Sequence, residues 1–180
     1  EINRGNLSKI FGELMFLIEK DKRDLRVKLA YDNPDNPFDS FSIPENIYIV
    51  GTMNTADRSL SMVDYALRRR FVFFTLEPQF HSGKFTKFLL DKGVSEGLTQ
   101  KIVDRLTALN NTIAGDEKYL GKGYKIGHSY FCPDGESEVN ENWYNMIISF
   151  EIEPLLKEYW FDNILRLNPN FDKKRKVFFC

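Results

Sequence analysis

The chain has 180 residues, of which 42% are hydrophobic and 16 are Phe, enough apolar matter for one ordinary domain or two small lobes. Its 25 basic and 26 acidic residues leave a formal charge of -1, so no global field draws it to nucleic acid or membrane, and any DNA contact has to be local. Two cysteines, Cys132 and Cys180, stand far apart with no Cys or His at ligand spacing, which argues against a disulfide framework and a zinc site and makes a reducing cytoplasm the simplest home.

No apolar run reaches the roughly 18 residues that span a bilayer, and no signal-peptide pattern is present. The chain opens EINRGN. Glu1 runs directly towards a helical pattern, as the acidic residue after a buried strand does in phosphate-hydrolysing folds, where a carboxylate polarises the attacking water and a preceding Asp helps hold magnesium. No such Asp precedes it here. A start on Glu without an initiator Met reads as a piece of something longer.

From Asn6, a plausible N-cap, the residues Leu7, Ile10, Phe11, Leu14, Leu17 and Ile18 recur at helical spacing and predict one helix with one buried face. Residues 25–31 (LRVKLAY) alternate and lead into DNPDNPFDSFSIPEN, which predicts one arm of a hairpin with a proline-rich turn. IYIV at 47–50, ending in Gly51, reads as a strand buried on both faces. It would place Asn54 at a strand's C-terminal edge, where open α/β sheets bind ligands. Taken alone, Asn54-Thr55-Ala56-Asp57 is a loop with Asx-type turns.

Ser61 and Asp64 resemble a capping box that opens a short helix through VDYALRRR. FVFFTL at 71–76 predicts a second buried strand. Arg68, Arg69 and Arg70 close the helix before it. Cations there complement the helix dipole for about 0.3–1 kcal/mol each, and three in a row exceed that need. An arginine projected from a rigid helix end onto a neighbouring subunit's γ-phosphate stabilises transition-state charge, worth about 10³–10⁵ in rate, and lysine lacks the planar fork for it.

After Glu77-Pro78 helical patterns take over, in KFTKFLLDK, in the stretch from Val94 to Ile113 and in WYNMIISFEIEPLLKEYWFDNIL, so a boundary is expected near Pro78 between an α/β piece at 1–78 and a mostly helical lobe at 79–180. Glycine-rich loops at GDEKYLGKGYKIGHSYFCPDGESE interrupt the lobe. The basic run Lys173 to Lys176 near the end is too short for a convincing nucleic-acid patch. No clustered acidic and lysine pattern in a strand context supports a nuclease site. There is no internal repeat or low-complexity tract.

EINRGN, MNTADRS, VDYALRRRF and IGHSYF, in this order and spacing, resemble the AAA+ motor domain of the McrB family, the GTP-hydrolysing subunits of modified-cytosine-specific restriction systems. The likeness covers nearly the whole chain, and MNTADRS is its most specific element. It implies the C-terminal part of an α/β AAA+ P-loop NTPase subdomain followed by an α-helical lid. It makes Glu1 the catalytic glutamate of the Walker B strand and Asn54 the sensor 1 residue that orients water. Met53, Thr55, Asp57 and Arg58 belong to the signature loop, and Arg69 and Arg70 are trans-acting fingers. Residues Arg26 to Ile43 match the hairpin before sensor 1. His128 and Ser129 fall where the lid returns to the nucleotide, although a single His beside aromatics is more often a packing residue. Trp143 and Trp160 are assigned to lid packing.

The resemblance further implies GTP and Mg²⁺ as cofactors, a homo-oligomeric ring, expected to be a hexamer, a McrC-like endonuclease partner and DNA reached through the complex. No G-x-x-x-x-G-K-[ST] loop occurs in these residues, so the chain alone is expected to be inactive. Two sheet strands alone are marginal, and their apolar surface is expected to be covered by the lid, another copy or further chain. The alternatives are an ATP-using remodeller of the MoxR or dynein-like kind, which MNTADRS disfavours, and a non-catalytic assembly module.

Overall fold

The computed structural model describes residues 1–33, 35–36, 40–54, 56, 68–134 and 138–160. The chain divides into two compact units, Glu1–Thr75 and Leu76–Cys180.

The first unit starts with a 3-10 turn at Ile2–Arg4 and helix α1 (Leu7–Phe11), capped by Asn6, whose Oδ1 accepts from the Lys9 N–H at 3.0 Å. The apolar spacing predicts one continuous helix from here, but α1 stops at Gly12 and resumes as α2 (Leu14–Leu17). Gly12 has φ +49, outside the right-handed helical region and open to glycine at no steric cost. The break keeps most of the predicted face inward, but Ile10, which the spacing places on it, is 62% exposed. Leu7, Leu17 and Ile18 are inside, and Phe11 and Leu14 pack on a small cluster of Leu17, Ile18 and Ile43.

The expected hairpin is present in its simplest form. Val27 and Phe41 form an antiparallel bridge, with N–H to carbonyl distances of 2.9 and 2.8 Å in the two directions. Arg26 Nη1 donates to Ser40 Oγ at 3.0 Å beside it. Residues 34 and 37–39 of its turn lie outside the described residues.

The two expected central strands are not found. Residues 47–50 and 71–76 have no ladder among the described residues, and Tyr48, Val50, Phe74 and Leu76 are 86, 91, 85 and 94% exposed. Their β-branched and aromatic composition suits a sheet, but a strand is defined by its neighbours, and the described backbone supplies none alongside. Ile49 and Phe71 do turn inward, onto the Leu17–Ile18–Ile43 cluster. The capping pair Ser61 and Asp64 and most of the VDYALRRR helix lie outside the described residues. Arg68 to Arg70 are described, at the end of a helical turn.

The second unit is helical, and its helices begin where the sequence provides caps. Ser82 Oγ accepts from the Lys84 N–H at the start of α3 (Gly83–Asp91), and Ser95 Oγ from the Leu98 N–H at the start of α4 (Glu96–Gly115). Asn140 Oδ1 accepts from the N–H groups of Asn142 and Trp143 to open α5 (Glu141–Ile147). Along α4, Leu98, Ile102, Leu106, Leu109 and Ile113 recur every three or four residues and are all buried, each burial worth about 1.5–3 kcal/mol.

Helix α5 continues through a π-helical turn (Ile148–Ile152) into α6 (Glu153–Tyr159). Pro154 lies in the first turn of α6. It has no N–H for the i−4 carbonyl and its ring would crowd that carbonyl, and the wider turn before it accommodates both effects. Ile148, Ile152 and Leu156 stay in one core with Tyr144, Phe131 and the α4 residues. Trp143 packs edge-on against Phe131, and Trp160 Nε1 donates to Asp116 Oδ2 at 2.9 Å. The basic run from Lys173 to Lys176 and Cys180 lie outside the described residues.

Asn110 is the polar fixture of this core. Its Nδ2 donates to the Ile126 carbonyl at 2.9 Å and its Oδ1 accepts from the Ile126 N–H at 2.6 Å, all buried. This side chain satisfies both backbone groups of the segment that leads into His128. Asn110→Ala is expected to destabilise the second unit by about 3 kcal/mol, because an unpaired buried backbone group costs about 1–3 kcal/mol. Urea unfolding followed by tryptophan fluorescence reads this unit alone, since Trp143 and Trp160 both belong to it.

Tyr159 meets Tyr124 edge-to-face at 5.0 Å. Burial, aided by Tyr130, Tyr124 and Glu158, pushes its phenol up to about 12 from an ordinary 10.0. Below the ordinary value the phenol is neutral in both folded and unfolded chains. As pH rises the unfolded phenol loses its proton first, so stability is lost progressively between those two values. Tyr159→Phe is expected to reduce this alkaline loss of stability, as measured by urea midpoints followed by circular dichroism on either side of the ordinary phenol value.

Candidate functional site

In the first unit the segment after Glu1 lies against the segment before Asn54. The Ile2 N–H donates to the Thr52 carbonyl at 2.9 Å, and Asn3 Nδ2 donates to the Asn54 carbonyl at 3.0 Å. Gly51 makes the approach possible: a Cβ there would stand 2.6 Å from Ile2 Cδ1 and 3.2 Å from Ile2 Cγ2. Glu1 and Asn54 are thereby carried on paired segments, and both are exposed.

Glu1 forms an ion pair with Arg4 one turn on, exposed enough to be worth little in stability. Asn54 Oδ1 accepts from the Ala56 N–H at 3.0 Å, an Asx turn. With the side-chain carbonyl engaged, the amide NH₂ is the end that can donate to a ligand or water. Met53 is half-buried. Thr55, Asp57 and Arg58 of the signature loop lie outside the described residues.

Asn3 lies within EINRGN and has no role assigned by the sequence. It is 7% exposed, and its Oδ1 has no hydrogen-bond partner among the described residues.

Of the three arginines, Arg68 and Arg69 are exposed and Arg70 is not. Arg70 Nη2 is bonded to Glu19 Oε1, just after α2, in a pair whose side chains are 18 and 33% exposed. The next residue, Phe71, packs on Phe11 of α1 with ring centroids 6.1 Å apart.

In the second unit, His128 opens a 3-10 turn (His128–Phe131). Its Nδ1 accepts from the Gln79 N–H at 3.2 Å, and its ring meets Phe85 and Phe80 edge-on at 5.4 and 6.3 Å. Lys125 pairs with Glu77 at 2.8 Å close by. Ser129 is exposed. His128 therefore has a packing and anchoring job within its own unit. Among the described residues no three His, Cys, Asp or Glu side chains cluster as metal ligands. Among the described residues Glu1 is the one carboxylate on the segments that pair through Asn3 and Asn54, and other donors would have to complete a magnesium shell.

Residues 1–71 match the AAA domain of the dynein-related subfamily, and residues 101–168 match the McrB alpha-helical lid domain. The chain is 48% identical, over 166 residues, to the type IV methyl-directed restriction enzyme EcoKMcrB subunit of Escherichia coli strain K12, a match covering 91% of this chain. It belongs to the McrB family. The fold is accordingly that of an AAA+ protein with its α-helical lid. A second relative of this McrB-family chain is the type II restriction enzyme BsuMI component YdiS of Bacillus subtilis strain 168, 31% identical over 88 residues and 43% of this chain. The matches span 36 and 25% of the two relatives' own lengths. Among the described residues no helix is long and apolar enough to cross a membrane.

The Asn3 bond is open to direct measurement. Asn3→Ala is expected to raise backbone amide exchange in residues 51–56 about tenfold, the loss of one hydrogen bond worth about 1.4 kcal/mol, with the second unit unchanged. Hydrogen exchange read by mass spectrometry checks it, and equal protection in the two proteins would exclude the link.

Proposed function

We propose that this chain is the C-terminal part of the motor of a longer AAA+ nucleoside triphosphatase, which hydrolyses GTP and drives DNA translocation for a McrC-like endonuclease partner in modification-dependent restriction. The observation that carries the reading is the pairing of the Glu1 segment with the Asn54 segment through Ile2 and Asn3. It holds a carboxylate and a side-chain amide on neighbouring exposed positions, as the orientation of a water for attack on a phosphate requires. The name of the Escherichia coli relative, a restriction enzyme subunit, supports the biological setting.

In this reading Glu1 polarises the water and the Asn54 amide orients it. Met53, Thr55, Asp57 and Arg58 shape the loop around Asn54. The arginine-rich helix end serves the neighbouring subunit of a homo-oligomeric ring in the cytoplasm, with six copies as the expected number. His128 and Ser129 stand at the lid end of the site, where His128 acts by anchoring. GTP and Mg²⁺ are held chiefly by the portion that carries the phosphate loop, and bound there they supply the reacting phosphate and neutralise its charge. The units at 1–78 and 79–180 are read as the α/β part and the lid.

The test is steady-state hydrolysis of GTP and ATP, side by side, by the full-length protein, with Glu1→Gln as the control. GTP is expected to be the preferred substrate, with turnover at least about 10²-fold lower in the variant, as is usual when a general base or its equivalent is lost. ATP preference would move the protein to the remodeller class. No turnover with either nucleotide would favour an assembly module.

A further inference from the structure

We propose that His128 is a proton-sensitive clasp on the stretch of chain that enters the second unit: the neutral ring holds Gln79, and a ring that gains a proton releases Glu77, Pro78 and Gln79. Nucleotide chemistry plays no part in it.

The second unit begins at Leu76, but its first helix, α3, begins only at Gly83. Three contacts fasten the stretch between them. Lys125 Nζ pairs with Glu77 Oε2 at 2.8 Å, the Gln79 N–H donates to His128 Nδ1 at 3.2 Å, and Phe80 is buried in the core at 2% exposure. They differ in strength and in chemistry. Burial of Phe80 does not depend on charge. The Glu77 and Lys125 side chains are 46 and 23% exposed, so their pair is worth little. Pro78 has no N–H to offer. The bond to His128 is therefore the tie that keeps residues 77–79 against the unit.

That bond exists for one protonation state only. A backbone amide can only donate, so Nδ1 must accept, and the ring's single proton is then on Nε2. An imidazolium carries a proton on both nitrogens and cannot keep the bond. Phe80 and Phe85, which meet the ring edge-on with centroids 6.3 and 5.4 Å away, make contacts that survive protonation. The titratable groups on the surrounding elements are Glu77 and His81 on the entering stretch, Lys84, Lys87 and Asp91 on α3, and Lys125, Tyr130 and Cys132 on the ring's own segment. Glu77 is already taken by Lys125.

The ring's own base is fixed. Asn110 holds both backbone groups of Ile126 at 2.6 and 2.9 Å, and Phe131 is fully buried. Protonation therefore frees the entering chain and leaves the ring in place. Phe80 stays anchored, so Glu77, Pro78 and Gln79 join the free connection and add about 10 Å to its reach.

The experiment is hydrogen exchange of the full-length protein, read by mass spectrometry on peptides covering residues 76–82. Protection is expressed against the intrinsic exchange rate at each pH, at about pH 8 and about pH 5, on either side of the range in which an ordinary histidine changes charge. Protection is expected to fall about three- to tenfold on the acid side, as the loss of one hydrogen bond allows. His128→Phe, which keeps a ring between Phe80 and Phe85 but has no acceptor, shows the low value at both. His128→Asn keeps an acceptor that does not titrate and shows the high value at both. His81→Asn, which removes the other histidine of the chain, and Glu77→Gln both retain the pH dependence.

The clasp is overturned if the unaltered protein is equally protected at both values, if the pH dependence persists in His128→Asn, or if it vanishes in His81→Asn or Glu77→Gln. Protection of α4 reports whether each variant keeps its fold. Should either His128 variant lose that protection, the unaltered protein, His81→Asn and Glu77→Gln decide the matter, since together they assign the pH dependence to His128 or remove it.

Discussion

Asn3 crosses 51 positions of sequence to reach the Asn54 carbonyl, and the arrangement of the first unit depends on ties of this kind. Among the described residues the apolar cluster there has three buried members, against seventeen in the second unit. So small a cluster cannot by itself fix where each loop runs. Polar links between distant segments do it instead: Asn3 to Asn54, Glu19 to Arg70, and Arg23 Nη1 to the Ile47 carbonyl at 3.1 Å. All three join the leading helices to the segment from Ile47 to Phe71. Polar ties are directional where apolar burial is not.

The two units differ for the same reason in how much of them could be read from sequence. Helix α4 announces itself within its own span, by Ser95 at the start and a run of apolar residues every three or four positions. Local signals sufficed there, and they sufficed for the Asn6 cap of α1. They failed at Gly12, where an apolar period continued across a backbone break that only the glycine's φ explains. They also failed for residues 47–50 and 71–76, whose composition predicts strands but whose pairing has to come from elsewhere.

At the candidate site, Glu1 taken alone carries no functional reading, the edge position of Asn54 and the run of arginines raise one, and the resemblance joins the three. Asn3 and Glu19 carry no trace of their partners in the sequence, for a physical reason. An asparagine in a turn and a glutamate at a helix end are both commonplace, and each becomes informative only when its partner, 51 residues away in both cases, is known. The apolar pattern of a chain reports which face is inside. It carries no comparable trace of which two polar groups will meet.

His128 shows the converse, a residue that a motif brought forward and that packing explains. Its Nδ1 receives the Gln79 N–H and its ring fills the angle between Phe80 and Phe85, while Lys125 holds Glu77 alongside. Asn110 fixes the same stretch from beneath by gripping both backbone groups of Ile126. The segment from Glu77 to Phe80, which a proline would otherwise mark as a loose connection, is thereby held within the second unit. A residue in a motif can also anchor its own unit, and the contacts of His128 with Gln79, Phe80 and Phe85 do so in the second unit.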